Sequence, residues 1–399
     1  MTTRIKTNPN MIEEARKLQK QIVDMRRHLH QQPELSYAEK ETARLSADTL
    51  SQLGYTVKEG VGKTGVTGDL GSGTTIAIRA DMDALPIDEI NEVPYKSKNP
   101  GVMHACGHDA HVSIALAAAR LLSENKSAGR IRVLMQPAEE YGDDEGRSGA
   151  YRMIEDGALK DVSAVIGLHV DASLPSGKVG ILDGPIMAAV DGFTLKIQGK
   201  GGHGAYPETC IDAIVIGAQV VQAIQQIVSR RISALEPAIV TIGSFKSSSS
   251  RGNVIAEQVH MEGTFRSFSP EARATLRQEL DRACSVARAL GGDYELKYEL
   301  GYPPTVNNKD IAAVMREAAI DLIGKERVVE VKPKTWSEDF SLLANVVPGA
   351  FMFFGVEIDG DTRSHHSPSF DINETDLYAG AAILAETARR LTTHLDKKG

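Results

Sequence analysis

The chain has 399 residues, of which 42% are hydrophobic, and a formal net charge of −8 from 45 Lys and Arg against 53 Asp and Glu. A chain of this length exceeds the usual size of one domain, so two domains are expected. The mild acidity and the lack of a long basic run argue against a nucleic-acid-binding protein and favour small-molecule or peptide substrates. No apolar run approaches the roughly 18 residues of a membrane span.

The N-terminal segment and the cysteine count bear on the cellular compartment. The segment from Met1 to Glu13 is polar and lacks the apolar stretch of a secretory signal peptide. Cys106, Cys210 and Cys284 are an odd number in a long chain, which is not the pattern of a disulfide framework and suits a reducing compartment. The sequence therefore predicts a cytoplasmic protein.

Strand-like and helical segments alternate in the first part of the chain. In order, they are a helix from Met11 to His30, a strand from Thr75 to Arg79, a helix from Val112 to Ser123, a strand from Ile131 to Met135, a helix from Gly149 to Glu155 and a strand from Ser163 to His169. Alternation of this kind predicts an α/β domain with a largely parallel sheet that helices cover on both faces.

Polar side chains follow each of these three strands. Asp81 and Asp83 come after the first strand, Glu139 and Glu140 come after the second, and His169 is expected to end the third. Because the carboxyl ends of parallel strands meet at one edge of a sheet, these groups are expected to lie close together. That edge is the expected place of the chemistry.

The pattern of segments changes at about Gly184. A strand from Phe193 to Gln198, a helix from Ile211 to Arg230, strands from Ala238 to Gly243 and from Val259 to Phe268, a helix from Pro270 to Leu290 and a strand from Tyr294 to Leu300 follow. This β-α-β-β-α-β order is that of a ferredoxin-like α+β unit and predicts an inserted domain over residues 185–300. The first pattern then returns, so the catalytic domain is expected over residues 1–184 and 301–399.

Several residues have the chemistry of a metal site. Cys106 and His108 are two residues apart, so in an extended segment their side chains face the same side and can reach one metal cluster. The neighbouring carboxylates of Glu139 and Glu140 diverge, which suits two different roles. An imidazole at the end of an apolar strand, as at His169, is costly unless it is paired or bound to metal. Metal-assisted hydrolysis is the hypothesis that these residues support.

Seven ordered motifs give the chain a resemblance to a known family. They are His28–Ser36, Arg79–Pro86, Cys106 with His108, Gln136–Glu140, Gly201–Ala205, Ser337–Phe340 and His366–Pro368. With these motifs the chain resembles the M20 metallopeptidases, and among them the branch of aminoacylases, carboxypeptidases, hippurate hydrolases and auxin-conjugate amidohydrolases. The resemblance implies a catalytic α/β domain with an inserted lid or dimerisation domain.

The resemblance also implies a metal centre. The five ligands that it implies are Cys106, His108, Glu140, His169 and His366. Such a set suits two divalent ions per subunit, and its ligand types allow Zn, Mn, Co or Ni without choosing among them. Glu139 is implied as the general base for the activated water, and Asp83 as the aspartate that orients the site. His104 and His111 are expected outside the ligand set, and Asp81 is expected to be structural.

The inserted domain is implied to contribute substrate contacts. His203 lies in a glycine-rich turn that lacks the Gly-Lys-Ser/Thr of a phosphate loop, and the resemblance makes it an oxyanion donor, often from the partner subunit. Asn253 and Arg266 match positions that hold the substrate's carboxylate, for which a guanidinium is well suited. Ala256 stands where the family usually has Pro, so the turn after Asn253 is expected to be looser. A homodimer is implied as well.

The function expected is metal-dependent hydrolysis of an amide bond next to a free carboxylate, in an N-acyl-L-amino acid or a short peptide. Two alternatives stay open. A hydrolase with Cys106 as its nucleophile would keep its activity under chelation and lose it to iodoacetamide. A non-catalytic, metal-bound binding protein would keep the ligands without needing Glu139. Acyl-amino acid, peptide, hippurate-like and conjugate substrates are all compatible with the sequence.

Overall fold

The computed structural model describes residues 8, 10–125, 127–361 and 363–396. Its strands are β1 Thr56–Val61, β2 Gly65–Leu70, β3 Thr75–Asp81, β4 Arg130–Gln136, β5 Val162–Pro175, β6 Val179–Gly180, β7 Gly184–Met187, β8 Ala189–Gln198, β9 Gly202–His203, β10 Ala238–Ser247, β11 Val254–Ile255, β12 Gln258–Ser267, β13 Asp293–Leu300, β14 Thr305–Asn307, β15 Val328–Val329 and β16 Gly349–Glu357.

The helices range from one turn to almost six turns. They are α1 Met11–Gln31, α2 Lys40–Gln52, α3 His108–Glu124, α4 Gly149–Glu155, α5 Ala213–Arg230, α6 Pro270–Cys284, α7 Val286–Ala289, α8 Lys309–Ile323, α9 Phe340–Val346 and α10 Leu377–Asp396, with 3-10 turns at Pro207–Thr209 and Lys325–Arg327. In the part of the chain that the structure describes, no helix has the length and apolar character needed to cross a membrane.

The chain forms two compact units. The first comprises Met1–Ile186, Val306–Lys332 and Asp339–Gly399, and the second comprises Met187–Thr305 and Pro333–Glu338. The first unit is therefore discontinuous in sequence.

An eight-stranded sheet forms the centre of the first unit, in the order β1-β2-β4-β3-β5-β16-β6-β15. Its middle strands β4, β3, β5 and β16 are parallel to one another. On one side β2 pairs antiparallel with β4 and with β1, and on the other side β6 pairs antiparallel with β16. β3 is buried along its whole length, as expected for a strand that is covered on both faces. The predicted α/β class with a largely parallel sheet is confirmed.

Helix α3 is almost entirely buried, because it packs against α1, α10 and β3. A helix that is covered on all sides has little need for a polar stripe, and its run of Ala, Ile and Leu reflects this. The segment that precedes α3 and the helix's first turn are therefore fixed against the core. This is what positions Cys106 and His108.

Two predicted boundaries next to the candidate site were wrong. Helix α3 begins at His108 rather than at Val112, because Gly107 takes the left-handed conformation (φ 95°) at the position before the helix. Strand β5 does not end at His169 but continues to Pro175, since β16 continues to pair with it as far as Pro175. His169 thus lies inside strand β5, where pairing with β16 fixes its position.

The second unit has a four-stranded antiparallel sheet in the order β10-β12-β8-β13. Its main elements follow the order β8, α5, β10, β12, α6, β13. Alternate residues of β8 are buried, and Phe193, Leu195 and Ile197 pack with apolar residues of α5 and α6 in a separate core. Helix α5 begins where the Asp212 side chain accepts hydrogen bonds from two backbone N–H groups of the first turn.

Candidate metal centre

Cys106 and His108 are brought together by a glycine that has no room for a side chain. A Cβ atom on Gly107 would lie 2.3 Å from Cγ2 of Val170, and its φ of 95° is unfavourable for any other residue. The segment therefore passes close to β5 just beyond His169. As a result Cys106 Sγ lies 3.4 Å from His169 Nε2.

Hydrogen bonds from Nδ1 to the backbone set the ring orientations of His169 and His108. His169 Nδ1 donates to the carbonyl of Val170 at 2.7 Å, and His108 Nδ1 donates to the carbonyl of Asp83 at 2.8 Å. Backbone hydrogen bonds of this kind fix the tautomer and leave Nε2 as the metal-binding atom. His108 Nε2 is buried and has no hydrogen-bond partner among the described residues.

Glu140 and His366 complete the cluster. Glu140 Oε1 lies 3.1 Å from His366 Nε2 and 3.9 Å from His108 Nε2. His366 has a positive φ of 60°, which is uncommon for a residue other than glycine, and its backbone N–H donates to the carbonyl of Ala105 at 2.8 Å. A hydrogen bond thus ties the C-terminal part of the chain to the segment that carries Cys106.

Among the described residues, ligand-type atoms lie within 4.8 Å of one another in several groups, three of which overlap and together contain the predicted ligands. The three groups are Cys106, His108 and His169; Cys106, Glu140 and His366; and His108, Glu139 and Glu140. All five ligands predicted from the sequence are among them. The structure therefore brings together the residues of the predicted ligand set from four separate parts of the chain.

The donor set fits divalent metal ions. Burial raises the pKa of the Cys106 thiol well above its usual value, and the nearby Glu140 and Glu139 carboxylates raise it further, so ionisation needs a compensating positive charge. Burial alone would lower the pKa of His108, but Asp81, Asp83 and Glu140 outweigh it and raise this pKa to about 10. Such negative surroundings favour a bound cation, and thiolate, imidazole and carboxylate together suit two divalent ions.

The Asp83 side chain accepts hydrogen bonds from the turn that carries Glu139 and Glu140. Its Oδ1 accepts from Glu139 N at 3.1 Å, and its Oδ2 accepts from Glu140 N at 3.0 Å and from Ser36 Oγ at 2.6 Å. Burial acts to raise the pKa of Asp83, but its interactions with His108 and Ser36 lower it overall. Asp83 therefore orients Glu139, Glu140 and His108 at once.

Two other histidines near the site, His111 and His365, have both ring nitrogens occupied. His111 Nδ1 donates to Asp81 Oδ1 at 2.6 Å, and its Nε2 accepts from Val170 N at 2.9 Å. His365 Nδ1 donates to the carbonyl of Cys106 at 3.2 Å, and its Nε2 accepts from Ala172 N at 3.2 Å. Neither ring has a lone pair left for a metal ion. His104 is buried and belongs to none of the groups of metal-ligand atoms in the described residues.

The buried Arg79 contacts three side chains next to the site, and the sequence did not predict this role. Arg79 pairs with Asp81 Oδ2 and with Asp339 Oδ1, both at 2.8 Å, and its Nε donates to Gln136 Oε1 at 2.8 Å. Arg79, Gln136 and Asp339 all lie in sequence motifs quoted above, but nothing in the sequence shows that they meet. Glu39 was also missed, although it precedes helix α2 directly.

His203 and Asn253 lie together in the second unit. Strand β9 pairs with β11, so that His203 faces Val254, and Gly204 N donates to the carbonyl of Asn253 at 2.8 Å. His203 Nδ1 accepts from Ala205 N at 3.0 Å, and the side chain is exposed. The neutral ring therefore carries its proton on Nε2.

Arg266 does not lie with these two residues. It pairs with Val190 and Ile239 at one end of the sheet, whereas the β9–β11 ribbon leaves the other end, where Gln258 pairs with Gln198. Its guanidinium contacts Thr264 Oγ1 and the carbonyl of Phe265, and partial burial lowers its pKa. Eight residues of β12, roughly 26 Å at the usual rise of a strand, separate Arg266 from Gln258.

Comparison with known proteins identifies the family. A model of the peptidase family M20/M25/M40 matches residues 77–390, which is more than half of the chain. The chain belongs to this family. The M20 chain is 42% identical over 380 residues to an N-acetyl-L-cysteine deacetylase of Bacillus subtilis, a match that covers 94% of this chain and 89% of the relative. It is 40% identical to thermostable carboxypeptidase 2 of Saccharolobus solfataricus, with 93% and 96% covered.

A solved structure is similar over nearly the whole length. The YXEP protein of Bacillus subtilis, described as a dinuclear metal-binding peptidase of family M20, matches with a TM-score of 0.82 and 33% identity over 94% of this chain and 99% of the other. The predicted resemblance to M20 enzymes is confirmed. This M20 chain is accordingly a metal-dependent hydrolase of the amidohydrolase and carboxypeptidase type, and its clustered ligands fit two divalent ions.

Proposed function

We propose that this M20 enzyme hydrolyses an amide bond next to a free carboxylate, in an N-acyl-L-amino acid or a short peptide. The observation that carries the proposal is the cluster of ligand atoms beside Glu139, in which Cys106, His108 and His169 are buried. The names of two relatives, an N-acetyl-L-cysteine deacetylase and a carboxypeptidase, support this substrate class, since an N-acyl amino acid and a peptide C-terminus share the amide and the carboxylate.

The five clustered residues would hold the metal ions. Cys106, His108, Glu140, His169 and His366 supply one thiolate, three imidazoles and one carboxylate. Two bound divalent ions would polarise the scissile carbonyl and lower the pKa of water. Zn, Mn, Co and Ni all suit this donor set, and the ligand types do not choose among them.

Glu139 is the proposed general base. It is buried beside the ligand atoms of His108 and Glu140, its N–H is held by Asp83, and its Oε1 faces the N–H of Asp339 at 3.4 Å. In the reaction its carboxylate takes a proton from the attacking water and gives it to the leaving amine. Glu140 and Glu139 thus have different roles although they are adjacent.

We also propose a homodimer in which the partner subunit completes each site. A substrate of this size is far shorter than the roughly 26 Å of strand between Arg266 and Gln258, where the ribbon of His203 and Asn253 begins. One copy of the second unit therefore offers one substrate either Arg266 or His203, and not both. If Arg266 binds the substrate's carboxylate, His203 and Asn253 come from the partner subunit, where His203 stabilises the oxyanion.

A reducing compartment, and hence the cytoplasm, is the proposed location. All three cysteines are free within the described part of the chain. Cys106 can serve as a thiolate ligand only while it stays reduced.

The Cys106-nucleophile alternative is disfavoured by the surroundings of the thiol. A nucleophilic cysteine needs a lowered pKa and access to substrate, whereas Cys106 is buried and the carboxylates beside it raise its pKa further. As a metal ligand the same residue needs no access to substrate.

A metal analysis and a substrate panel test the proposed function. Purified enzyme is expected to contain two divalent ions per subunit and to release amino acid from at least one N-acyl-amino acid or dipeptide. A chelator should abolish turnover, and re-addition of one of the four metals should restore it. Turnover that survives complete removal of metal and is lost to iodoacetamide would identify the Cys106 mechanism instead.

A further inference from the structure

The turn that carries Glu139 and Glu140 has a strained backbone. Ala138 is fully buried and has a positive φ of 47°, a conformation that costs about 1 kcal/mol or more for a residue with a Cβ. Its carbonyl accepts from Gly149 N at 2.8 Å, and a Cβ atom on Gly149 would lie 1.6 Å from the carbonyl oxygen of Pro137. Such a turn persists only where its surroundings hold it.

Two buried carboxylates hold three consecutive N–H groups of this turn. Asp83 accepts from Glu139 N and Glu140 N, and Glu39 Oε1 accepts from Ala138 N at 2.8 Å. Glu39 is itself fixed, since its Oε1 also accepts from Tyr37 N at 2.9 Å and its Oε2 accepts from Thr64 Oγ1 at 2.5 Å. Its side chain is fully buried.

Glu39 is free to reach the turn because another residue caps its helix. It stands at the N-cap position of α2, where a side chain usually binds the first N–H groups of its own helix. Here Glu34 does so instead, with Oε1 accepting from Glu41 N at 3.0 Å and Oε2 from Thr42 N at 2.9 Å. Because Glu34 caps the helix, Glu39 can accept a hydrogen bond from Ala138 N, which lies just after β4 and is distant in sequence.

We infer that Glu39 is a positioning residue for the metal centre: by holding the N–H of Ala138 it keeps this residue left-handed and so directs Glu139 and Glu140. The inference rests on the proposed function for the role of Glu139. It extends the site to a residue that touches neither substrate nor metal. What matters for this role is an acceptor oxygen at the right reach, not the charge of the carboxylate.

Two substitutions of Glu39 distinguish the effect of its side-chain length from the effect of its charge. Glu39→Gln keeps an acceptor oxygen for Ala138 N and can donate to Thr64 Oγ1, so kcat is expected to stay within about threefold of wild type. Glu39→Asp keeps the charge but is one methylene shorter. Because Ala138 then loses its partner, kcat is expected to fall roughly 10- to 100-fold while KM changes little.

The matched control is Glu34→Gln, which alters the cap of the same helix and leaves Ala138 held. It is expected to change thermal stability more than kcat. The absorption spectrum of the Co²⁺-substituted proteins gives a readout apart from activity, because Glu140 lies in the same turn. We expect shifted Co²⁺ bands in Glu39→Asp and wild-type bands in Glu39→Gln and Glu34→Gln.

The opposite pattern would overturn the inference: wild-type kcat and Co²⁺ bands in Glu39→Asp, with both altered in Glu39→Gln, would mean that Glu39 acts through its charge. Wild-type behaviour in both variants would overturn it as well. If wild-type enzyme cleaves none of the amides, the proposed function fails on its own, and the Co²⁺ bands still decide whether Glu39 positions the turn.

Discussion

At the scale of single residues, hydrogen bonds to ring nitrogens distinguish two proposed metal ligands, His108 and His169, from the neighbouring His111 and His365. His108 and His169 each donate a hydrogen bond from Nδ1 to a backbone carbonyl, so that Nε2 is the nitrogen that can bind a metal ion. His111 and His365 use both ring nitrogens in hydrogen bonds, because each also accepts a hydrogen bond from a backbone N–H of β5. In the proposed metal centre, a histidine therefore binds metal or supports the site according to the hydrogen bond that its second ring nitrogen makes.

Gly107 offers a prediction at this scale. Gly107→Ala adds a Cβ atom at 2.3 Å from Val170 Cγ2, so the free energy of unfolding should fall by about 2–4 kcal/mol from backbone strain and overpacking together. Metal content should fall too, since Cys106 and His108 flank the glycine. Urea unfolding and metal analysis measure the two effects.

Gly146→Ala is the matched control for Gly107→Ala. Gly146 also has a positive φ, 72°, but an added Cβ atom would meet nothing within 4 Å. Only the backbone cost of about 1 kcal/mol is expected there. Equal losses of stability in the two variants would show that the contact with Val170 does not fix the ligand segment.

At the scale of elements, a buried ion pair ties α1 to the start of α3. Arg26 Nε lies 2.9 Å from Asp109 Oδ2, and both side chains are fully buried. Asp109 also accepts from His30 Nδ1 at 2.7 Å. Because Asp109 follows His108 directly, this ion pair fixes the first turn of α3, which carries the proposed metal ligand His108.

Removal of the arginine should be costly. Arg26→Ala leaves Asp109 buried with less compensation, and the free energy of unfolding is expected to fall by about 3–5 kcal/mol. Lys20→Ala on the same helix breaks the exposed pair with Asp24 and should cost less than about 0.5 kcal/mol. Chemical denaturation of the two variants measures the difference, and similar values would contradict a role for the buried pair.

The sequence predicts elements better than it predicts contacts between them. The order of β3, β4 and β5 and their parallel arrangement follow from local patterns, as does the convergence of Asp83 and Glu139 at one sheet edge. The hydrogen bond from Ala138 N to Glu39 does not, because it joins side chain and backbone 99 positions apart. The longer β5 was also unpredictable, since its last residues are held by pairing with β16.

At the scale of the whole molecule, the proposed function divides metal binding and substrate contact between the two units. The clustered ligands all lie in the first unit, whereas His203, Asn253 and Arg266 lie in the second. Within the second unit Arg266 and His203 lie toward opposite ends of one sheet. This separation is the reason for proposing that a second copy completes each site.

Complementation between inactive variants tests that proposal. His203→Ala and Glu139→Gln should each be nearly inactive, but co-expression should form mixed dimers in which one of the two sites has both an intact Glu139 and the partner's His203. With random pairing, about one quarter of wild-type activity is expected. Activity no higher than the sum of the two variants alone would mean that His203 does not act across subunits.

The proposed general base Glu139 is tested by kcat of Glu139→Gln together with the metal content of the variant. Loss of the general base should lower kcat by roughly 10²–10⁴-fold, with wild-type metal content, because the five ligands are untouched. Glu92→Gln, which changes an exposed glutamate paired with Lys96, should leave kcat unchanged. A metal-loaded Glu139→Gln enzyme that keeps wild-type turnover would contradict the mechanism.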